Sequence, residues 1–201
     1  MDWKKLFSFR KSQEKELNLQ EADFSKEALA IVQRNSHGKI MPFYKTDLSS
    51  DEADGLAGIC IETSEKESEH LVLKLNQELQ KVNYQAFICD YDQKEIGIIK
   101  GTDQFDILKV QQTNGDNCDI GNENVISKLK DWHGRYPFII IGADYDWVEM
   151  RFQSMPKDKE LKGLAKEIEK FCPDIVEQGT GTISGLIQDM KETGKLLLWW
   201  D

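Results

Sequence analysis

The chain has 201 residues, a hydrophobic fraction of 39% and a charged fraction of 31%, which suits one large or two small folded domains with a well-charged surface. Its net charge is −10, so phosphate finds no overall basic face and nucleic acid is excluded as the default partner. No apolar run reaches the roughly eighteen residues of a spanning helix, and "MDWKKLFSFRKSQEKELN" is too charged for a secretory signal.

Residues 1–25 read as a charged leader in which Trp3, Leu6 and Phe7 share one helical face among Lys4, Lys5, Arg10 and Lys11. One apolar turn buries too little for membrane anchoring. "SKEALAIVQRN" predicts a short helix capped by Ser25. "KIMPFY" predicts an edge strand, because Pro42 cannot donate to a ladder. After the polar loop "SSDEADG" comes the strand "GICIE", then a long helix with Leu71, Val72, Leu75, Leu79 and Val82 on one stripe. "YQAFICD" and "EIGIIKG" follow as strands joined by the turn "YDQK". Residues 26–102 thus form an N-terminal α/β half.

Residues 103–201 read as a C-terminal α+β domain. "FDILKVQQ" fits strand and helix equally, and "TNGDNCDIGN" is a turn-rich polar loop. A helix from about Asn122 to His133 stops at Gly134. "FIIIG" and "WVEMRFQ" form a hairpin around "ADYD", with Val148, Met150 and Phe152 facing opposite to Trp147, Glu149 and Arg151. Pro156 opens a helix that "CPD" ends, and "QGTGT" leads to a last helix stopped by Gly194. The chain closes on "KLLLWWD", which has no polar position to offer water. The fold expected is α+β: a mainly antiparallel sheet with helices packed on one face. Its C-terminal half takes a ferredoxin-like core as the nearest template, provided "DILKVQQ" is a strand.

"DILKVQQTNGDNCDI", "VISKLKDW", "IIGADYDWVEMRF", "FCPDIVEQGTGT" and "LLLWWD", met in that order, resemble a bacterial family catalogued as domain of unknown function 4253. The resemblance covers about residues 95–201 and departs from the family where Cys118 stands in place of an aromatic. It implies a domain boundary and no activity.

Candidate chemistry concentrates in this half. Asn114, Asp116, Asn117 and Asp119 make an oxygen-rich loop before a helix, suited to a hard cation or to turn and cap geometry. Cys172 beside Asp174 offers a thiol near a carboxylate, with His133 the one histidine of this half. Gln178 opens the glycine-bearing "QGTGTISG", which lacks the Lys-Ser/Thr of a phosphate loop. Asp144 and Asp146 flank a hairpin turn. Trp200 and Asp201 place an indole and two carboxylates at the chain end, where Arg135 or Arg151 is a candidate donor. Cys60, Cys89, Cys118 and Cys172 contain no CxxC pair and read as reduced thiols of a cytoplasmic protein. His37, His70 and His133 supply no zinc spacing, so neither metal nor cofactor is expected.

No catalytic triad, metal cluster or nucleotide loop meets its spacing. The reading that follows is a soluble bacterial protein that binds another protein or a small ligand. The alternative is a small enzyme with a carboxylate- or cysteine-based site in the C-terminal half. Each terminal tryptophan hides about 200 Å², an upper bound of about 5 kcal/mol. Removing residues 197–201 is therefore expected to abolish cooperative melting, measured by circular dichroism. A truncated chain that melts near the parent temperature refutes a core role for the tail.

Overall fold

A computed structural model describes residues 24–46 and 54–200. Most of the leader (1–23), the greater part of the "SSDEADG" loop and Asp201 lie outside the described residues. In chain order the elements are α1 (Lys26–Asn35), β1 (Ile40–Lys45), β2 (Asp54–Glu62), α2 (Glu65–Leu79), β3 (Tyr84–Ile88) and β4 (Glu95–Lys100). They continue with α3 (Phe105–Gln111), α4 (Asn122–Arg135), β5 (Phe138–Ala143), β6 (Trp147–Phe152), α5 (Asp158–Phe171), α6 (Ile183–Thr193) and β7 (Lys195–Trp199). A π-helical turn, Ile175–Thr180, links α5 to α6.

Among the described residues, seven strands form one sheet in the order β1-β2-β4-β3-β5-β6-β7. Every neighbouring pair is antiparallel except β3 with β5, so the fold is α+β with a mainly antiparallel sheet. Alternate residues of each strand feed two separate cores. Tyr84, Ala86 and Ile88 of β3 face one core, and Phe87 faces the other. Helices α1 and α2 cover the first core with Ala28, Ile31, Val32, Val72, Leu75 and Leu79. Helices α3 to α6 cover the second, through residues such as Leu108, Leu129, Trp132, Leu164, Ile168 and Met190. The helices thus lie on both faces and not on one. The reason is that β3 and β4 are apolar on both sides, with all five residues of β3 buried, and a strand of that kind needs two covers.

The ambiguous "FDILKVQ" is helix α3, with Phe105, Ile107, Leu108 and Gln111 on its buried side. The C-terminal half therefore contributes three strands after residue 103, and the ferredoxin-like template does not form. Ser25 accepts from the Ala28 N–H at 3.1 Å and caps α1. Pro42 lies in β1, the outermost strand at one end of the sheet. Gly134 does not stop α4, which runs one residue further to Arg135. The tail is the opposite edge strand. Leu196 and Leu198 point into the second core, Leu197 packs half-buried against the first, and half-buried Trp199 touches both.

Strands β3 and β5 pair at Ile88 and Gly142, and side-chain amides replace the ladder elsewhere along this seam. Asn76 of α2 bonds both main-chain groups of Ala86: its Nδ2 donates to the carbonyl at 2.8 Å and its Oδ1 accepts from the N–H at 2.7 Å. Gln104 does the same for β5, accepting from Ile140 N–H at 2.8 Å and donating to Phe138 O at 3.2 Å. Both amides satisfy backbone groups that a splayed sheet leaves open. Replacing Asn76 by Ala is expected to cost about 2 kcal/mol or more, because it strands a donor and an acceptor together. Urea denaturation measures the loss.

Candidate functional site

Four segments converge at the end of the sheet where β5 turns into β6. They are the loop 112–121, the hairpin turn 144–146, the connector 172–182 and the tail at Trp199–Trp200. Main-chain carbonyls of the turn and of the end of β5 hold the loop and the tail in place. Gln111 Nε2 donates to Ala143 O, Thr113 Oγ1 to Asp144 O and Asn114 N–H to Tyr145 O, each at 2.8 Å. The Trp200 N–H donates to Asp146 O at 3.0 Å. The loop itself is shaped by left-handed residues, Gln112 at φ 53° and Asp119 at φ 56°. Asn114 Oδ1 accepts from the Asp116 N–H at 3.0 Å, an Asx turn.

Trp200 is the wedge of this platform, 3% exposed. Its ring stands edge-on to Phe171 at 5.8 Å, and Phe171 stands edge-on to Trp132 at 5.7 Å. Trp132 Nε1 donates to Glu167 at 3.0 Å. The Arg135 hydrogen bond, helped by that of Trp132, holds the Glu167 carboxyl below its usual value. Two glycines let the backbone lie flat on the terminal indoles. A Cβ on Gly115 would sit 2.6 Å from Trp200 Cδ1, and one on Gly179 would sit 2.5 Å from the Trp199 ring.

The thiols are engaged or shielded. Cys172 is fully buried, and its Sγ donates to Trp199 O at 2.9 Å. Burial pushes this thiol up to about 12. Burial also raises Cys118, with Asp174, Asp119 and Glu177 adding to the effect. Neither is poised as a thiolate nucleophile at neutral pH. His133 Nδ1 accepts from the Phe138 N–H at 3.3 Å, and its ring packs edge-on between Phe105 and Phe138.

The sequence-predicted residues thus come together, but in two roles. Asn114, Cys172, Asp174 and Trp200 are buried in the platform, where Asp174 accepts from Gln178 Nε2 at 3.2 Å. Asp144 and Asp146 are half-buried in the turn and lend it their carbonyls. Asp116, Asn117, Asp119 and Gln178 are exposed on the rim, next to Glu177. Asp201 lies outside the described residues. Its two candidate donors bind elsewhere: Arg135 pairs with Glu167 and Asp131, and Arg151 with Glu69. Among the described residues, no group of three or more His, Cys, Asp and Glu side chains could hold a metal ion. A cleft of about 440 Å³ lies between α3 and α4, lined by Lys109, Gln112, Asn122, Ser127 and Lys130 at the two ends of the loop. Sequence reasoning missed Gln111 and Thr113 as the ties of the loop, and Gly115 as its contact with Trp200. Two polar residues ending an apolar helix stripe, followed by a glycine, were the available signal.

A family model described as Domain of unknown function (DUF4253) matches residues 95–201, more than half of the chain. The chain belongs to this family. No curated protein and no solved structure matches it. The DUF4253 segment opens at β4 and contains every platform and rim residue named above.

Gly115→Ala and Gly179→Ala are each expected to cost about 1–3 kcal/mol by crowding an indole, read from urea midpoints. Cys172 is expected to resist iodoacetamide at pH 8 in the native state, while half-exposed Cys118 reacts. Because the Cys172 pKa in the folded chain lies above its ordinary 9.0, its contribution is intact below pH 9 and is lost as pH rises toward 12. Relative to Cys172→Ala, the parent loses at most about 1.4 kcal/mol per pH unit in that window.

Proposed function

We propose that the chain is a binding protein that engages a protein or small-ligand partner through the exposed rim around Trp200. One observation carries this reading. The buried polar groups of the platform that sequence marks as chemical are bonded to main chain or to one another, which leaves the exposed side chains of the rim for contact. Cys172 is bonded to Trp199 O, Asn114 to Gln112 O and the Asp116 N–H, and Asp174 to Gln178. The exposed set, Asp116, Asn117, Asp119 and Glu177, is anionic and sits on a rigid base. Such a surface complements a cationic partner and repels nucleic acid, in keeping with a net charge of −10. A bacterial, cytoplasmic setting belongs to the same reading, since Cys60, Cys89, Cys118 and Cys172 are widely spaced without a CxxC pair, which suits a reducing compartment. Among the described residues, no helix is long and apolar enough to cross a membrane.

A deca-lysine peptide tests the rim. Calorimetric titration of the combined Asp116→Asn, Asp119→Asn, Glu177→Gln variant is expected to show about tenfold weaker binding, from about 0.5 kcal/mol per charge. Its melting temperature should stay within about 2 °C of the parent, as for surface substitutions. Neutralising Glu65, Glu67 and Asp92, also exposed but on α2 and the β3–β4 turn, should weaken binding less. Equal losses in the two variants would reduce the effect to net charge and sink the rim as a site.

A further inference from the structure

The family match opens at Glu95, the first residue of β4, yet β4 lies between β2 and β3 in the sheet. Both neighbours of β4 therefore come from outside the matched span. The other matched strands, β5 to β7, start on the far side of β3. Strands neighbour one another at about 4.8 Å, so residues 95–201 alone would hold β4 about 10 Å from β5, beyond any hydrogen bond. The edge of β5 toward this gap is where Ile88 pairs with Gly142.

Both cores also cross the boundary. The first joins Val72, Leu75, Leu79, Ala86 and Ile88 to Ile96, Ile98 and Trp147. The second joins Phe43, Cys60, Phe87 and Cys89 to the helices that follow residue 103. An ion cluster makes a further link. Glu69 of α2 bonds Arg151 Nη1 at 2.8 Å and Lys195 Nζ at 3.1 Å. Lys195 in turn reaches the buried Glu149 at 2.7 Å.

We propose that the DUF4253 segment carries a docking surface for residues 54–94 of its own chain, and that the two fold only as one unit. The surface has three parts: the open edge of β5, which accepts β3; the apolar face with Ile96, Ile98 and Trp147, which accepts α2; and the Arg151–Lys195–Glu149 socket, which accepts Glu69. This replaces a division of the chain near residue 102, because the seam of the fold runs between β3 and β5 and is closed from both sides.

The full chain with Trp3→Phe tests the proposal, since its remaining tryptophans, Trp132, Trp147, Trp199 and Trp200, all lie in the matched span. Leu75→Ala, on α2, should lower the urea midpoint read by tryptophan emission and by far-UV circular dichroism by the same amount. If Leu75→Ala destroys the native emission outright, that supports the proposal too, and Val72→Ala then supplies the graded comparison. An unmoved emission midpoint alongside a biphasic circular-dichroism curve overturns it. In a second arm, a protease site is placed in the β3–β4 turn, where Tyr91 is 70% exposed, and cut after folding. The two pieces are expected to co-elute in gel filtration, or to lose native emission if they part. Separation with native emission retained in the C-terminal piece overturns the proposal.

Discussion

Strand β3 has neither a face nor an edge to spare, and that constraint organises the molecule. All five of its residues are buried. One edge is laddered to β4 along its whole length, from Tyr84 to Ile88. The other meets β5 at a single residue pair and is otherwise closed by Asn76. A buried backbone group without a partner costs more than a typical hydrogen bond gains. The amides of Asn76 and Gln104 meet that demand where β3 and β5 do not ladder with each other. With β3 central, two helical layers follow, because alternate side chains leave the sheet on opposite faces.

At the far edge the same demand for closure shapes the tail. An edge strand exposes unpaired backbone that invites other chains. Here the connector after α5 lies against β7: Cys172 donates to Trp199 O, and Gly179 lies on the Trp199 ring. Trp200 then leaves the sheet and wedges between Gly115 and Phe171. The thiol's elevated pKa follows from this arrangement. A sulfur enclosed by apolar neighbours is held as the neutral thiol, because burial disfavours the thiolate. The feature that suggests a nucleophile in sequence is, in the fold, a strut.

Local signals in the sequence carried most of the elements. Ser25 before "KEALAIV", Pro42 within "IMPFY" and the alternation of "WVEMRF" each reflect one dominant short-range effect, and each reads correctly. "FDILKVQ" was undecidable because its apolar residues suit both periods, and the choice fell to packing: a helix there presents Phe105, Leu108 and Gln111 together to β5. The two-sided burial of the sheet was harder to see. It depends on strand order, which inserts β4 between β2 and β3, and no local pattern encodes that. The π-helical turn at Ile175–Thr180 was missed as well; its Gly179 lies against the Trp199 ring, a contact distant in sequence. At the candidate site the sequence could not separate the roles of the residues it singled out. Asp116 and Asn114 look alike in a string, yet one is on the rim and the other is buried beneath it.

That separation between buried ties and exposed carboxylates bears on what the surface is for. Catalytic groups need access, a partner that tunes them and a cavity that excludes water. The buried groups here are bonded to main chain or to one another, and the carboxylates of the rim are exposed. Recognition asks less of its residues: fixed positions and complementary charge. The platform supplies fixed positions, because every segment that bears a rim residue is bonded or packed against either the β5–β6 turn or the terminal indoles. A partner meeting this rim would therefore encounter a preformed surface, and little of the binding free energy would be lost to ordering loops.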